Sequence, residues 1–117
     1  VIDTPGHSPD SIMLAEDDRK LLFTGDTFYP AALYVALASE RPVTELLQVY
    51  RGTMALLAQE FSSYTLLCSH NEPVQSGSML GRTAEALTAI LDGREPDEIG
   101  STGLRRYEFD GFAVITR

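Results

Sequence analysis

Two histidines, His7 and His70, are the only ones in this 117-residue chain, and each stands where an apolar run gives out. His7 ends Thr4-Pro5-Gly6-His7, and His70 follows the run Tyr64-Thr65-Leu66-Leu67-Cys68-Ser69. Between them Asp26 comes directly after Phe23-Thr24-Gly25. Imidazole and carboxylate are the ligands of catalytic zinc, where the metal turns water into a nucleophile near neutral pH. A His, an Asp and a His, each at the end of a strand, can converge on one rim of a sheet. The pattern therefore points to a hydrolytic metal centre, although three donors are too few for a two-ion site.

The elements that must position these residues are legible in the periodicity. Val1-Ile2-Asp3-Thr4 reads as a strand. Ser11 to Glu16 and Lys20 to Thr24 are apolar-rich runs around Asp17-Asp18-Arg19, the pattern of a β-hairpin with a polar turn. Phe28 to Glu40 has no clear period and reads as a loop or short helix beside the site. From Val43 to Phe61 one face carries Val43, Leu46, Leu47, Tyr50, Met54, Leu57, Ala58 and Phe61, the stripe of an amphipathic helix with Pro42 in its first turn. Val49 and Leu56 fall off that stripe, which predicts burial on more than one side. Tyr64 to Ser69 reads as a short buried strand. A second helix is expected from about Ser78 to Asp92, capped by Ser76 or Ser78 and stopped by Gly93. Gly93 to Gly103 is a polar connection. Asp110-Gly111 between Arg105–Phe109 and Phe112–Thr116 is a strong hairpin signal. The order predicts a mixed α/β unit with helices against a sheet.

Composition bounds the function. The chain is 44% hydrophobic and 22% charged, with a net charge of −8, the balance of a folded domain rather than a disordered one. Nucleic acid is an unfavourable partner, because phosphate binding needs clustered Lys and Arg. No apolar stretch approaches the roughly 18–20 residues that span a bilayer. The single Cys68 excludes an internal disulfide and suits a reducing compartment, so the expected location is cytoplasmic. The chain lacks an initiator Met and opens inside a strand, which suggests an N-terminal truncation.

Val1-Ile2-Asp3-Thr4-Pro5-Gly6-His7 points two ways. D-x-x-G before a His resembles the magnesium-sensing switch of translational GTPases, which would place a phosphate-binding loop upstream. The downstream residues argue otherwise: Ser69-His70-Asn71-Glu72 stands where a guanine-reading Asn-Lys-x-Asp should be, and a hairpin follows His7 where the GTPase has a helix. The other resemblance covers essentially the whole chain. T-P-G-H-S-P-D-S at 4–11, T-G-D-T at 24–27, S-H at 69–70 and the closing hairpin around Arg106 to Phe112 resemble the downstream half of the metallo-β-lactamase-fold hydrolases.

That resemblance implies a fold and a chemistry. The fold would be the C-terminal half of a four-layer αβ/βα sandwich, so residues 1–117 are expected to form a partial domain. Two metal ions, zinc or alternatively Fe or Mn, would hold a bridging hydroxide that attacks a small ester, thioester or lactone. His7 would bind one ion, His70 the other, and Asp26, the catalytic candidate, would bridge both. Gly6 and Gly25 would let the backbone turn beside the donors. The family's remaining four ligands sit in an upstream H-x-H-x-D-H motif, and this chain has no third histidine. The parent is therefore expected to be an enzyme and the isolated chain inactive. The missing N-terminal half would be a partner, with self-association in its absence. Tyr29 and Tyr34 could line the substrate pocket. Asp10 and Ser11 could orient His7 or simply cap a turn, and Cys68 reads as a buried strand residue. The competing reading is a non-catalytic interaction or decoy module with a degenerate site.

Overall fold

The computed structural model describes residues 1–35 and 39–117. Its elements in chain order are β1 (Ile2–Asp3), β2 (Ile12–Glu16), β3 (Leu21–Gly25), β4 (Ala32–Tyr34), α1 (Val43–Phe61), β5 (Thr65–Cys68), β6 (Val74–Ser76), α2 (Ser78–Leu91), β7 (Glu98–Ile99), β8 (Arg105–Phe109) and β9 (Phe112–Thr116). Among the described residues they form a five-stranded sheet, β1-β2-β3-β5-β6, and a four-stranded sheet, β4-β9-β8-β7.

Strand direction follows from the connections. An eight-residue loop before β2 and a four-residue turn after it leave β2 antiparallel to both β1 and β3, so β1 and β3 point the same way. The connection from β3 to β5 contains α1, long enough for a crossover, and these two strands pair in parallel. The C-terminal ends of β1, β3 and β5 therefore share one rim. At that rim the register between β3 and β5 slips by one residue between Phe23 and Gly25. Gly25 then takes a left-handed φ of 53°, which glycine adopts without strain, and the chain leaves the sheet at Asp26.

The helix boundaries match the periodicity closely. α1 buries Leu46, Leu47, Tyr50, Met54, Leu57 and Phe61. Of the two residues off the stripe, Val49 is half-buried whereas Leu56 is 64% exposed, so the expected further burial reaches Val49 and not Leu56. α2 ends where glycine permits it, with Gly93 at φ 102° donating its N–H to Ile90 O. At its start Ser76 Oγ accepts the Ser78 N–H at 3.2 Å, while the capping position itself is Gly77 without a side-chain bond.

Three short strands were invisible to periodicity. The stretch from Phe28 to Glu40, read as a loop or short helix, contains β4, which pairs in parallel with β9; residues 36–38 lie outside the described residues. β6 forms against β5, and β7, inside the supposed polar connection, forms against β8. Two or three residues are too few to display alternation, and each of these strands exists because its partner strand is beside it. No helix among the described residues is long and apolar enough to cross a membrane.

The five-stranded sheet is apolar on both faces. Met13, Leu22 and Leu66 point into the helices and are fully buried. On the opposite face the register aligns Leu14 with Phe23, Phe23 with Leu67 and Leu67 with Val74, an apolar row across four strands. Leu14, Phe23 and Val74 are 46%, 43% and 60% exposed. A row of this kind drives association. The chain is expected to self-associate reversibly in analytical ultracentrifugation, and Phe23→Lys to weaken that association at least tenfold, the equivalent of ~1.4 kcal/mol. Concentration-independent monomers would contradict this.

A second expectation comes from packing. A Cβ built on Gly6 would lie 2.5 Å from Tyr50 Cγ, well inside van der Waals contact with a fully buried ring. Gly6→Ala should lower unfolding stability by about 1–3 kcal/mol through overpacking, measured by urea denaturation.

Candidate metal centre

Each candidate donor sits just beyond one of the three strand ends on the shared rim. Asp26 follows β3 immediately, and His70 lies two residues past β5. Asn71, next to it, takes a left-handed φ of 60°, a conformation Asn tolerates better than most residues, and this turns the chain sharply after the imidazole. Because β3 and β5 are neighbours, these two donors meet: His70 Nε2–H donates to Asp26 Oδ1 at 2.9 Å. Both side chains are about half exposed, 55% and 52%. An exposed contact of this kind contributes only ~0–1 kcal/mol to stability, so folding alone gives little reason for it.

His7 stands apart. β2 separates β1 from β3, which puts the two strands roughly two strand spacings, about 9.5 Å, apart. Among the described residues no three His, Cys, Asp or Glu side chains are grouped closely enough to hold an ion. His7 has its own anchor: Nδ1–H donates to the Tyr34 backbone carbonyl at 3.0 Å. A carbonyl can only accept, so the proton is on Nδ1 and the Nε2 lone pair of the neutral ring is left to bind elsewhere. This is the arrangement in which an outer partner orients a ligating histidine.

The neighbouring residues take roles that spacing did not reveal. Among the described residues neither Asp10 nor Ser11 hydrogen-bonds to the His7 ring; Ser8 Oγ donates to Asp10 Oδ1 at 2.8 Å and pairs with Ser11 Oγ at 2.7 Å, so they close the turn after His7. Tyr29 is buried, its hydroxyl donating to Ala32 O at 2.7 Å. Its ring meets the His70 imidazole edge-on with centroids 5.0 Å apart. Burial, reinforced by the Asp26 charge, raises the Tyr29 phenol above its ordinary value, so it remains a protonated donor. Tyr34, by contrast, exposes its side chain beside the rim. Cys68 is partly buried, and that burial pushes its thiol up although a Thr24 hydrogen bond pulls the other way. A protonated thiol is a poor ligand.

Gly6 also has a different reason from the one expected of it. The positive φ belongs to Gly25; at Gly6 the requirement is close approach to Tyr50. Beneath the rim lies a buried polar network that the motifs contain without announcing. Thr4 Oγ1 and Thr27 Oγ1 pair at 2.8 Å, Thr24 Oγ1 donates to Phe28 O at 2.7 Å, and the Tyr50 hydroxyl donates to Thr27 O. Thr4, Thr24, Thr27 and Tyr50 are all fully buried. Burial drives the Tyr50 phenol strongly upward, so it stays a donor. The only sequence signal was the threonine in each donor motif, and Tyr50 read simply as core.

Comparison with known proteins follows the same lines. The sequence profile described as the metallo-beta-lactamase superfamily matches residues 1–67, a span that includes His7 and Asp26 and stops short of His70. A search of curated proteins gives no significant match. Among solved structures the chain is similar to a beta-lactamase domain protein from Burkholderia ambifaria, with a TM-score of 0.63 and 17% identity. The similarity covers 100% of this chain and 47% of the other, so the chain spans about half the length of that protein. At this identity the likeness establishes the fold: two sheets and two helices arranged as in part of a metallo-β-lactamase-like α/β fold. The GTPase alternative loses its footing, since a hairpin follows His7 and the profile is of another family. The superfamily is largely hydrolytic, and its members typically bind metal ions. With the profile matching more than half of its residues, the chain belongs to the metallo-beta-lactamase superfamily.

Proposed function

We propose that this chain is one part of a metal-dependent hydrolase, contributing His7, Asp26 and His70 to a centre that other donors complete. The observation that carries this reading is the shared rim. β1, β3 and β5 run parallel and end on the rim from which the chain leads to His7, Asp26 and His70; Asp26 and His70 lie side by side, and His7 Nε2 has no hydrogen-bond partner among the described residues.

The donor types suit zinc, and also Fe or Mn, but their number and grouping do not make a closed site. A catalytic zinc is held by three protein ligands, and no such group of three exists among the described residues. The chain's own side chains therefore do not fit the two-ion centre, and alone it is expected to be inactive. In the completed centre the metal would supply activated water and polarise the scissile group. What these residues provide is placement: Tyr34 O orients His7, while Asp26 and the Tyr29 ring orient His70. The net charge of −8 disfavours polyanionic substrates, and a small ester, thioester or lactone is the class we assign. Residues 1–117 then act as a partial domain. The row Leu14, Phe23, Leu67 and Val74 is the face that the complementary part would cover.

The second reading, a non-catalytic interaction module, draws on the shortfall of donors. Metal binding separates the two. In zinc titration calorimetry the purified chain should hold less than one equivalent, weakly. His70→Ala should reduce that binding well over tenfold, since even an outer partner of a metal ligand is worth 10–100-fold. Adding a complementary segment with an H-x-H-x-D-H motif should bring two tightly held ions and esterase activity. Two tight equivalents in the chain alone would overturn the partial-site reading, and none after complementation would favour the module.

A further inference from the structure

The threonines of the two donor motifs have no part in the chemistry proposed above, yet they are the most deeply buried polar residues near it. We infer that Thr4 and Thr27 are positioning residues whose hydroxyl pair sets the spacing between the His7 arm and the Asp26 arm. The inference rests on the proposed reading only in taking His7 and Asp26 as donors.

Two cross-links join the segments 4–7 and 27–34 as the rungs of a ladder. One is the Thr4–Thr27 hydroxyl pair at 2.8 Å, and the other is His7 Nδ1–H to Tyr34 O at 3.0 Å. The first rung is completely buried, whereas the second is exposed. An exposed hydrogen bond competes with water, so Tyr34 O orients the ring only where its two ends are already held at the right separation. The buried rung supplies the constraint. Its surroundings are rigid on both sides: the Tyr50 hydroxyl donates to Thr27 O, Gly6 packs against the Tyr50 ring, and Thr53 Oγ1 donates to Pro5 O at 2.7 Å. Thr27 immediately follows Asp26, and Thr4 precedes His7 by three residues. Displacing one hydroxyl therefore displaces a donor.

Stability alone does not require hydroxyls here. Replacing both partners of a buried hydrogen bond with apolar groups of the same shape can be nearly neutral, because no orphan polar group remains. A pair of valines would fill the space equally well. It would lack direction, since a hydroxyl pair fixes the separation of two backbones while methyl groups in contact can slide.

The test uses the ¹⁵N-labelled 117-residue chain and needs neither metal nor substrate. Long-range ¹H–¹⁵N correlation at pH 9 reads the tautomer of each neutral imidazole. In the native chain His7 should be almost wholly the Nδ1–H form. In Thr4→Val/Thr27→Val the circular dichroism spectrum and melting temperature should stay close to native, while His7 shifts to a mixture of tautomers. Thr4→Ser/Thr27→Ser, which keeps both hydroxyls, should restore the native pattern. A double valine variant that retains the native His7 pattern overturns the inference. So does one that fails to fold, for then the hydroxyls serve stability rather than placement. Failure to bind zinc even when complemented would remove the hydrolase reading and leave this result standing.

Discussion

Tyr50 is the residue on which the donor rim rests. It lies in the middle of α1, fully buried, with its ring against Gly6 on one side and its hydroxyl bonded to Thr27 O on the other. A single side chain thus supports both the His7 loop and the start of the segment after Asp26. A buried phenol must keep its hydrogen bond, because an orphaned donor costs ~1–3 kcal/mol. The position of Thr27 is accordingly bound to that of α1. The register slip at the end of β3, the left-handed Gly25 and the exit of the chain at Asp26 all lie within reach of this constraint.

Strand order explains the arrangement of the donors themselves. β3 and β5 are neighbours, so Asp26 and His70 are in contact; β2 lies between β1 and β3, so His7 is held away and finds its partner in β4. β4 belongs to the other sheet and pairs with β9 near the end of the chain. The orientation of His7 consequently depends on both sheets being formed. His7 is thus tied to the backbone of the other sheet, whereas among the described residues the His70 and Asp26 side chains are hydrogen-bonded only to each other.

The same architecture leaves one face unsatisfied. Helices cover Met13, Leu22 and Leu66, whereas Leu14, Phe23 and Val74 on the opposite face stay largely exposed and Leu67 between them is half-buried. The shortage of donors and the bare apolar row lie on the same sheet.

What could be read from the residues alone was whatever depends on local periodicity and short motifs. The stripe on Val43–Phe61, the hairpins around 17–20 and 110–111 and the stop at Gly93 appeared where expected, because i, i+3, i+4 spacing and turn chemistry are properties of neighbouring residues. The family was legible for the same reason, in T-P-G-H and T-G-D-T. Strands β4, β6 and β7 were not, because two or three residues carry no period and are strands only through their partners. Nor were the contacts of Gly6, Tyr29 and Thr27 legible, since each is made with a residue at least three and up to 44 positions away. The sequence determined the candidate donors, the two helices and the family. Which donors meet, which way the imidazoles face and what holds them apart were decided by tertiary structure, because those depend on which strands become neighbours and on which polar groups are buried together.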